Sequence, residues 1–223
     1  MAVLGVDGWK GRWVGALLTG RAVELLVLED VAAALAVPGV ELIAIDMPIG
    51  LSDDGVRACD VQARRRLSPF GAASSVFPAP VRPVLAAGSY EEARGISVAA
   101  SGRSLSAQAW QLVTSIRQVD DALGDPPSER VVEVHPELTF REMNAGVRGR
   151  KATGPGQAQR LRALAESMDV LDALAAAAPD VPLVDALDAC AAAWSAQRLG
   201  EGRGECVGDG AVDSRGRPMR ISW

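Results

Sequence analysis

An alanine-rich stretch that carries two aspartates, Val181–Trp194, constrains the fold of this chain most. Asp185 and Asp188 are three residues apart, so a helix would place both carboxylates on one face. An apolar stripe on the opposite side is formed by Leu183, Leu187, Cys190 and Trp194. The remaining face carries Ala189, Ala192, Ala193 and Ala196. A helix that is small and apolar all round is normally buried, and its small side chains permit close approach of another layer.

The two aspartates therefore need an explanation. An unpaired buried charge costs on the order of several kcal/mol, so carboxylates on a buried helix need partners or a metal ion. The alternative is that both are acids of the first turns, where the helix dipole favours negative charge. We expect the helix to end at Gly200, in the C′ position.

The first part of the chain predicts four strands. Val3–Asp7, Arg12–Leu18 and Ala22–Leu28 are separated by short turns and form an antiparallel meander, with Gly8–Gly11 as the first turn. A short helix, Glu29 to Ala36, then leads to a strand from Glu41 to Asp46. This fourth strand is too apolar to have a wet face, which predicts a central position parallel to a neighbour.

The rest of the chain is predicted to be mainly helical. The predicted helices are Val56–Leu67, Tyr90–Ala100, a helix opened by Ser104 and closed at Gly124, Leu138–Asn144 and Gln157–Ala178. A proline-rich loop, Ser74–Pro83, is expected to be mostly extended. Arg130–His135 is a fifth strand, on which Glu133 and His135 share a face. Two short strands are expected between Glu205 and Trp223, around Asp213–Gly216.

Acids end two of the predicted strands. Asp7 ends the first strand and Asp46 ends the fourth, and ligands of α/β sheets bind outside the carboxyl ends of strands. If these strands are parallel neighbours, the two carboxylates lie side by side, where they suit divalent cations that prefer oxygen ligands. Glu133 is a further candidate. For any single acid at a strand end, a loop cap is the favoured explanation, whereas several acids together favour a site.

Ordered motifs along nearly the whole chain give a specific resemblance. They are Val6–Gly11, Ile45–Gly50, Arg57–Asp60, Ser74–Pro80, Leu105–Trp110, Glu133–Glu137 and Asp185–Asp188 with the small residues that follow. In these motifs the chain resembles a family of uncharacterised proteins described as predicted ribonuclease H-like nucleases. The resemblance implies an α/β fold: a mixed five-stranded sheet flanked by helices, in one domain spanning residues 1–223. It also implies a helical insertion after the fourth strand, at about 47–129, and matches Asp7, Asp46, Asp185 and Asp188 to the family's metal-binding acids.

The function expected from this resemblance is metal-dependent hydrolysis of phosphodiester bonds. Two Mg²⁺ or Mn²⁺ ions roughly 3.5–4 Å apart would activate water and stabilise the leaving oxygen. Asp7 would bridge the ions, and Asp46, Asp185 and Asp188 would complete their coordination. Two other classes stay open, namely an actin-like nucleotide-dependent phosphotransferase and a non-catalytic ligand-binding protein that has kept the acids.

Several other residues are candidates for the same site, each with a plainer alternative. His135, the single histidine, is either a general base that transfers protons or a buried histidine with satisfied hydrogen bonds. Lys10 lies in Gly8–Gly11, which either holds a phosphate or is a plain hairpin turn. The remaining substrate-binding candidates are Arg57, Arg64 and Arg82. These arginines either contact phosphate or carboxylate groups of a substrate or, in the predicted helix, lie on a solvated face.

Composition limits the partners and the compartment. The net charge of −5 argues against a broad basic surface for duplex DNA, so the expected partner is single-stranded or structured nucleic acid, or a nucleotide. No apolar run is long enough to cross a membrane, and the first residues begin directly as a strand, so we expect no signal peptide. The three cysteines lack metal or disulfide spacing, which fits a cytoplasmic protein. The oligomeric state stays open, with a homodimer as one option.

Overall fold

The computed structural model describes residues 1–125 and 127–223, which form two compact units. The first unit contains residues 1–47, 129–205 and 222–223. The second contains residues 48–128 and 206–221, so the range predicted as a helical insertion falls in this unit almost entirely. Residues 206–221, which the sequence did not assign to the insertion, belong to the second unit as well.

A five-stranded mixed sheet forms the centre of the first unit. Its strands in chain order are β1 (Ala2–Trp9), β2 (Arg12–Thr19), β3 (Ala22–Leu28), β4 (Val40–Ile45) and β5 (Val131–Glu133). Their order across the sheet is β3-β2-β1-β4-β5, with the first three antiparallel and with β4 parallel to both β1 and β5. The predicted meander and the parallel return of the fourth strand are confirmed, and the arrangement is consistent with a ribonuclease H-like fold.

The pairing of β1 places two acids at one edge of the sheet. The parallel ladder between β1 and β4 ends at the pair Val6–Ile45, so Asp7 and Asp46 directly follow its last rung. β1 itself continues against β2 as far as Trp9, and the hairpin turns at two residues with positive φ, Lys10 and Gly11. The predicted four-residue turn is therefore too long, because its first two residues still pair within the hairpin.

Eight α-helices are found in the described residues. They are α1 (Val31–Leu35), α2 (Ala58–Leu67), α3 (Tyr90–Ser101), α4 (Ala107–Ala122), α5 (Pro136–Met143), α6 (Gly154–Ala165), α7 (Val170–Ala176) and α8 (Leu183–Gly200). Within the same residues, no helix is both long and apolar enough to cross a membrane. The two short strands predicted near the end of the chain are present as β6 (Cys206–Val207) and β7 (Ile221–Ser222), and they pair with each other.

The alanine-rich helix α8 lies against the sheet at very short distance. A Cβ atom built on Gly5 of β1 would lie 2.1 Å from the backbone oxygen of Ala189 and 2.1 Å from the backbone nitrogen of Ala193. The predicted alanine face is buried, with all four of its residues at 0% exposure. Leu183, assigned to the core stripe by its spacing, is 39% exposed instead, because it is the first residue of the helix. Glycine and alanine therefore set the spacing between α8 and β1.

Three predicted elements of the first unit differ from the structure. The predicted helix Gln157–Ala178 is two helices, α6 and α7, and between them the backbone N–H of Asp169 donates to the carbonyl of Arg21. The predicted strand to His135 ends at Glu133, because His135 already caps α5. At the end of α8, Gly200 is still helical, and the positive φ is found at Gly202.

The second unit is helical, with α2, α3 and α4 and short 3₁₀ turns. Three of these turns, Ser68–Phe70, Ala73–Ser75 and Arg82–Ala86, lie in or near the stretch that was expected to be extended. The helix that was predicted to open at Ser104 begins at Ala107 and is capped by the side chain of Ser106, two residues later than expected. Its apolar side packs with the Arg82–Ala86 turn in one cluster. The cluster contains Val81, Val84, Ala87, Ala93, Leu105, Ala109 and Val113.

Candidate functional site

One face of the sheet brings the predicted acids together in the first unit. Because side chains alternate along a strand, Asp7 points to the same face as Gly5, which is the face that α8 covers. Gly5 pairs with Ala44 of β4, so Asp46 points to this face as well. Asp185 and Asp188 lie in the first two turns of α8. The strand ends and the start of the helix therefore place four carboxylates in one cluster, which we call the acid cluster.

The electrostatics of Asp7 and Asp46 show that these carboxylates are close to the others. Burial raises the pKa of Asp7 well above its usual range, and repulsion from Asp46 and Asp188 raises it further. Burial likewise raises the pKa of Asp46 to about 6, against the attraction of His135. Both residues keep part of their surface open to water, although protein surrounds the carboxylates on nearly all sides. Both residues are therefore partly exposed, whereas their carboxylates lie in surroundings that disfavour negative charge.

Asp188 is the most deeply buried acid of the cluster, and it has a lysine as its partner. Its side chain is 1% exposed, and its Oδ2 accepts a hydrogen bond of 2.8 Å from Nζ of Lys151. Its other oxygen, Oδ1, is buried and has no hydrogen-bond partner. Burial raises the pKa of Asp188 and the lysine lowers it, with a raised value as the net result. Lys151 therefore neutralises one oxygen of Asp188, while the other is left desolvated and unpaired.

Lys151 was not among the predicted site residues, but its charge acts on the whole acid cluster. Burial lowers its pKa, but attraction to Asp188, the hydrogen bond to it, and the charges of Asp46 and Asp7 raise the pKa above its usual value. Lys10, which was predicted, acts on Asp185: burial and Asp188 raise the pKa of Asp185, and the two lysines lower it. These are the two lysines among the 23 basic residues of the chain. Every lysine in this arginine-rich sequence thus acts on the acid cluster.

His135 borders the acid cluster from the start of α5. Its Nδ1 accepts a hydrogen bond of 3.2 Å from the backbone N–H of Glu137, so in the neutral ring the proton is on Nε2. The ring is close enough for its attraction to lower the pKa of Asp46. The sequence contained a signal for this cap, because Pro136 follows directly and proline favours the first position of a helix.

Glu133 is separated from the acid cluster by the sheet. It pairs with Ile45, whose side chain lies on the opposite face from Ala44 and Asp46. The neighbouring acid in the sequence, Glu137, is the one that acts on the cluster, since its charge raises the pKa of Asp46 and of Asp188. Glu137 is itself held by Arg160 and Arg141, the latter at 3.0 Å.

The three predicted substrate-binding arginines belong to the second unit, where each contacts carboxylates or backbone carbonyls of the same unit. Arg57 is 3% exposed; its Nη2 lies 2.5 Å from Asp60 Oδ1, and its Nη1 donates to the carbonyls of Ile49 and Gly50. Arg64 donates to the carbonyl of Val76. Arg82 pairs with Asp120 at 3.0 Å and with Asp213. These contacts stabilise the second unit, and they show that guanidinium groups in this chain are used within the fold.

The donor atoms of the acid cluster fit a hard divalent cation in kind. All are carboxylate oxygens, Asp7 and Asp46 are partly exposed residues, and the buried Oδ1 of Asp188 is unpaired. As placed, however, no three His, Cys, Asp or Glu side chains of residues 1–125 and 127–223 are arranged to hold one metal ion. The positive charge in contact with Asp188 is the ammonium group of Lys151.

Comparison with protein families gave one match, which extends over most of the chain. Comparison with curated proteins gave no match, and neither did comparison with solved structures. The matching family model is described as a protein of unknown function, DUF429, and covers residues 5–212, which include every residue of the acid cluster and Lys151. The chain therefore belongs to this family of proteins of unknown function.

Proposed function

We propose that this protein is a divalent-metal-dependent phosphodiester hydrolase, a nuclease of the ribonuclease H-like kind. The observation that carries the proposal is the acid cluster itself. Burial and repulsion from neighbouring carboxylates raise the pKa of Asp7, of Asp46 and of Asp185, and burial raises that of Asp188. Without a further cation this arrangement is electrostatically unfavourable, so it is expected where a site serves to bind one.

The residues that would hold the cation are Asp7, Asp46 and Asp188, with Asp185 at the edge. Bound Mg²⁺ or Mn²⁺ would supply an activated water and positive charge for the leaving oxygen. A pKa of about 6 keeps most of Asp46 ionised above neutral pH, as a ligand must be. His135, whose positively charged form attracts the carboxylate of Asp46, would act as a general base or transfer protons at this site.

The substrate class follows from the charges around the cluster. Lys10 and Lys151 provide two ammonium groups for the phosphate of a substrate at a site that otherwise repels anions. The net charge of −5 disfavours long duplex DNA, which favours single-stranded or structured nucleic acid or a nucleotide. We place the protein in the cytoplasm, since the free cysteines Cys59, Cys190 and Cys206 fit a reducing compartment.

The test is a cleavage assay on single-stranded, hybrid and branched nucleic acids with Mn²⁺, Mg²⁺ or EDTA. We expect cleavage with Mn²⁺ that falls by at least about a hundredfold in Asp7→Asn and in Asp188→Asn, since each removes a charge at the reacting centre. The matched control is Asp172→Asn, an exposed aspartate of α7, which should leave cleavage unchanged. Cleavage that persists in Asp7→Asn would assign the activity to a contaminant or to another site. No cleavage together with tight ATP binding would favour a phosphotransferase.

A second candidate, a non-catalytic binding protein, is favoured by two observations. Lys151 already pairs with Asp188, and no three ligating side chains of the described residues converge on one point. Such a protein would use the cluster to bind a cationic or metal-bound ligand without reaction. Saturable Mn²⁺ binding without cleavage of any substrate in the panel would support this candidate over the hydrolase.

A further inference from the structure

The contact between Lys151 and Asp188 joins a half-exposed side chain to a buried one. Asp188 is fixed in the buried helix α8 with its side chain 1% exposed, whereas the side chain of Lys151 is 49% exposed. Lys151 lies in the connection between α5 and α6, outside any helix or strand. The ammonium group at the end of this half-exposed side chain makes the hydrogen bond to Asp188, so it can turn toward solvent without moving packed side chains of the core.

The choice of lysine also distinguishes this contact from the other ion pairs of the first unit. Glu137 in the same unit is held by two arginines, Arg160 and Arg141. A guanidinium group makes a planar, often bidentate contact with a carboxylate, whereas an ammonium group is a compact point charge on a flexible stem. A compact charge resembles a metal ion more closely and is easier to exchange for one. A metal ion can therefore replace the ammonium group at Asp188 more easily than the guanidinium groups at Glu137.

The charge balance of the cluster points in the same direction. One oxygen of Asp188 is paired with Lys151, but Oδ1 stays buried without a partner, and Asp7 and Asp46 lie within electrostatic reach. The hydrogen bond from Lys151 thus leaves negative charge and an unsatisfied oxygen in the cluster. A divalent ion carries twice the charge and accepts several oxygen ligands at once.

We propose that Lys151 is a resident counter-cation of Asp188 that a divalent metal ion must displace. This inference rests on the proposed cation site. The structure then represents the lysine-bound state of the cluster, in which no three ligating side chains of the described residues converge. Lys151 then lowers the affinity for metal, and on displacement its ammonium group is free to contact the phosphate of a substrate.

The alternative is that Lys151 stays bound when the metal ion binds. It would then orient Asp188 so that Oδ1 of Asp188 binds the metal. Removing the lysine separates the two roles, because a competitor weakens metal binding and an orienting residue strengthens it. The measurement is the Mn²⁺ dissociation constant of the full chain, determined by calorimetry and by the electron paramagnetic resonance of free Mn²⁺. Its readout does not depend on any enzymatic activity.

We expect Lys151→Met to bind Mn²⁺ on the order of tenfold more tightly than the unchanged protein, since a competing charge-assisted hydrogen bond is gone. Lys151→Gln, which keeps polarity without the charge, should show the same direction and serves if the Met variant folds poorly. Lys10→Met is the matched control, because it removes the other lysine of the chain but no contact with Asp188. It should change the dissociation constant by clearly less than Lys151→Met.

Unchanged or weaker Mn²⁺ binding in both Lys151 variants would overturn the displacement and leave the proposed function standing, provided that the unchanged protein binds Mn²⁺. Absence of Mn²⁺ binding in the unchanged protein and in both variants would overturn the cation site together with this inference. Binding that is revealed only when Lys151 is replaced would support the displacement and would show that the resident lysine excludes the metal.

Discussion

Asp46→Asn should stabilise the metal-free protein. In the folded state the carboxylate of Asp46 has a pKa of about 6 against the ordinary 3.8, so at pH 7.5 its negative charge is held in an unfavourable place. Asparagine has nearly the same shape and no charge. The pKa of about 6 already includes the attraction of His135 and Lys151 for the carboxylate, and the variant loses this attraction too. The substitution therefore removes more repulsion and desolvation than attraction.

The rise of the pKa gives the size of the effect. At 1.36 kcal/mol per pKa unit, the shift from 3.8 to about 6 corresponds to about 3 kcal/mol. Asp46 keeps some contact with water, which screens its charge, so we expect a gain of about 2 kcal/mol in the free energy of unfolding. For a chain of this length such a gain raises Tm by roughly 4–8 °C.

The assay is urea denaturation at pH 7.5 in EDTA, followed by tryptophan fluorescence. Four of the five tryptophans, Trp9, Trp13, Trp194 and Trp223, lie in the first unit, so the signal reports mainly on the unit that contains Asp46. Asp172→Asn is the control and should stay within about 0.5 kcal/mol of the unchanged protein. An Asp46→Asn variant that is less stable than the unchanged protein in EDTA would show that this carboxylate is favourably held, which contradicts the reasoning.

Three further predictions concern pH, packing and a buried hydrogen bond. The stability advantage of Asp46→Asn over the unchanged protein should disappear near pH 4 and grow as the pH rises through 6. The reason is that the raised pKa of Asp46 in the folded state gives the unchanged protein stability below 3.8 that is lost above about 6. An advantage independent of pH would exclude the charge as its cause. Gly5→Ala should destabilise the first unit by roughly several kcal/mol or prevent its folding, because the added Cβ would overlap the backbone of α8. Normal stability in circular dichroism and urea denaturation would show that α8 does not lie so close to Gly5. Ser195→Ala should cost about 1 kcal/mol, since Ser195 and Thr139 share a buried hydrogen bond of 2.8 Å; a double-mutant cycle with Thr139→Val would show no coupling if this bond were absent.

The sheet and the acid cluster could be predicted because their signals are local. Asp7 and Asp46 each follow an apolar run, and short turns allow few topologies for the strands that carry them. The alanines of α8 are small on the face that meets β1, and glycine stands opposite them at Gly5. These features are visible in the sequence because close packing of a helix on a sheet requires particular residue sizes.

Other features depended on contacts between distant parts of the chain. The break between α6 and α7 has no clear composition signal, since alanine is common throughout, and it is marked by the hydrogen bond from Asp169 to Arg21. Glu133 points to the same side of the sheet as Ile45, with which it pairs. Alternation within one strand shows which residues share a face, but it does not show which face that is. The pairing of Lys151 with Asp188 joins residues 37 positions apart. The one available hint was that lysine is rare in a sequence whose basic residues are nearly all arginine.

The arginines show where the identity of a residue is a poor guide to its role. Arg57 and Arg82 were candidates for phosphate binding, but within the second unit they pair with Asp60, Asp120 and Asp213. The pairs of Arg82 with Asp120 and Asp213 depend on the meeting of separate segments, and no spacing rule predicts that meeting. Asp60 is only three residues from Arg57, so this pair is local, but its burial is not visible in the sequence. Lysine and arginine therefore differ in use here, with lysines at the acid cluster and these arginines within the fold.

The central claim is that the acid cluster binds a divalent metal ion. A crystal of the protein soaked in Mn²⁺ tests it most directly, because anomalous scattering locates manganese without assumptions about activity. We predict one or more manganese peaks in contact with Asp7, Asp46 and Asp188, with the ammonium group of Lys151 moved away from Asp188. A map without manganese at these carboxylates, in a crystal whose cleft is open to solvent and with Lys151 still bound to Asp188, would contradict the claim.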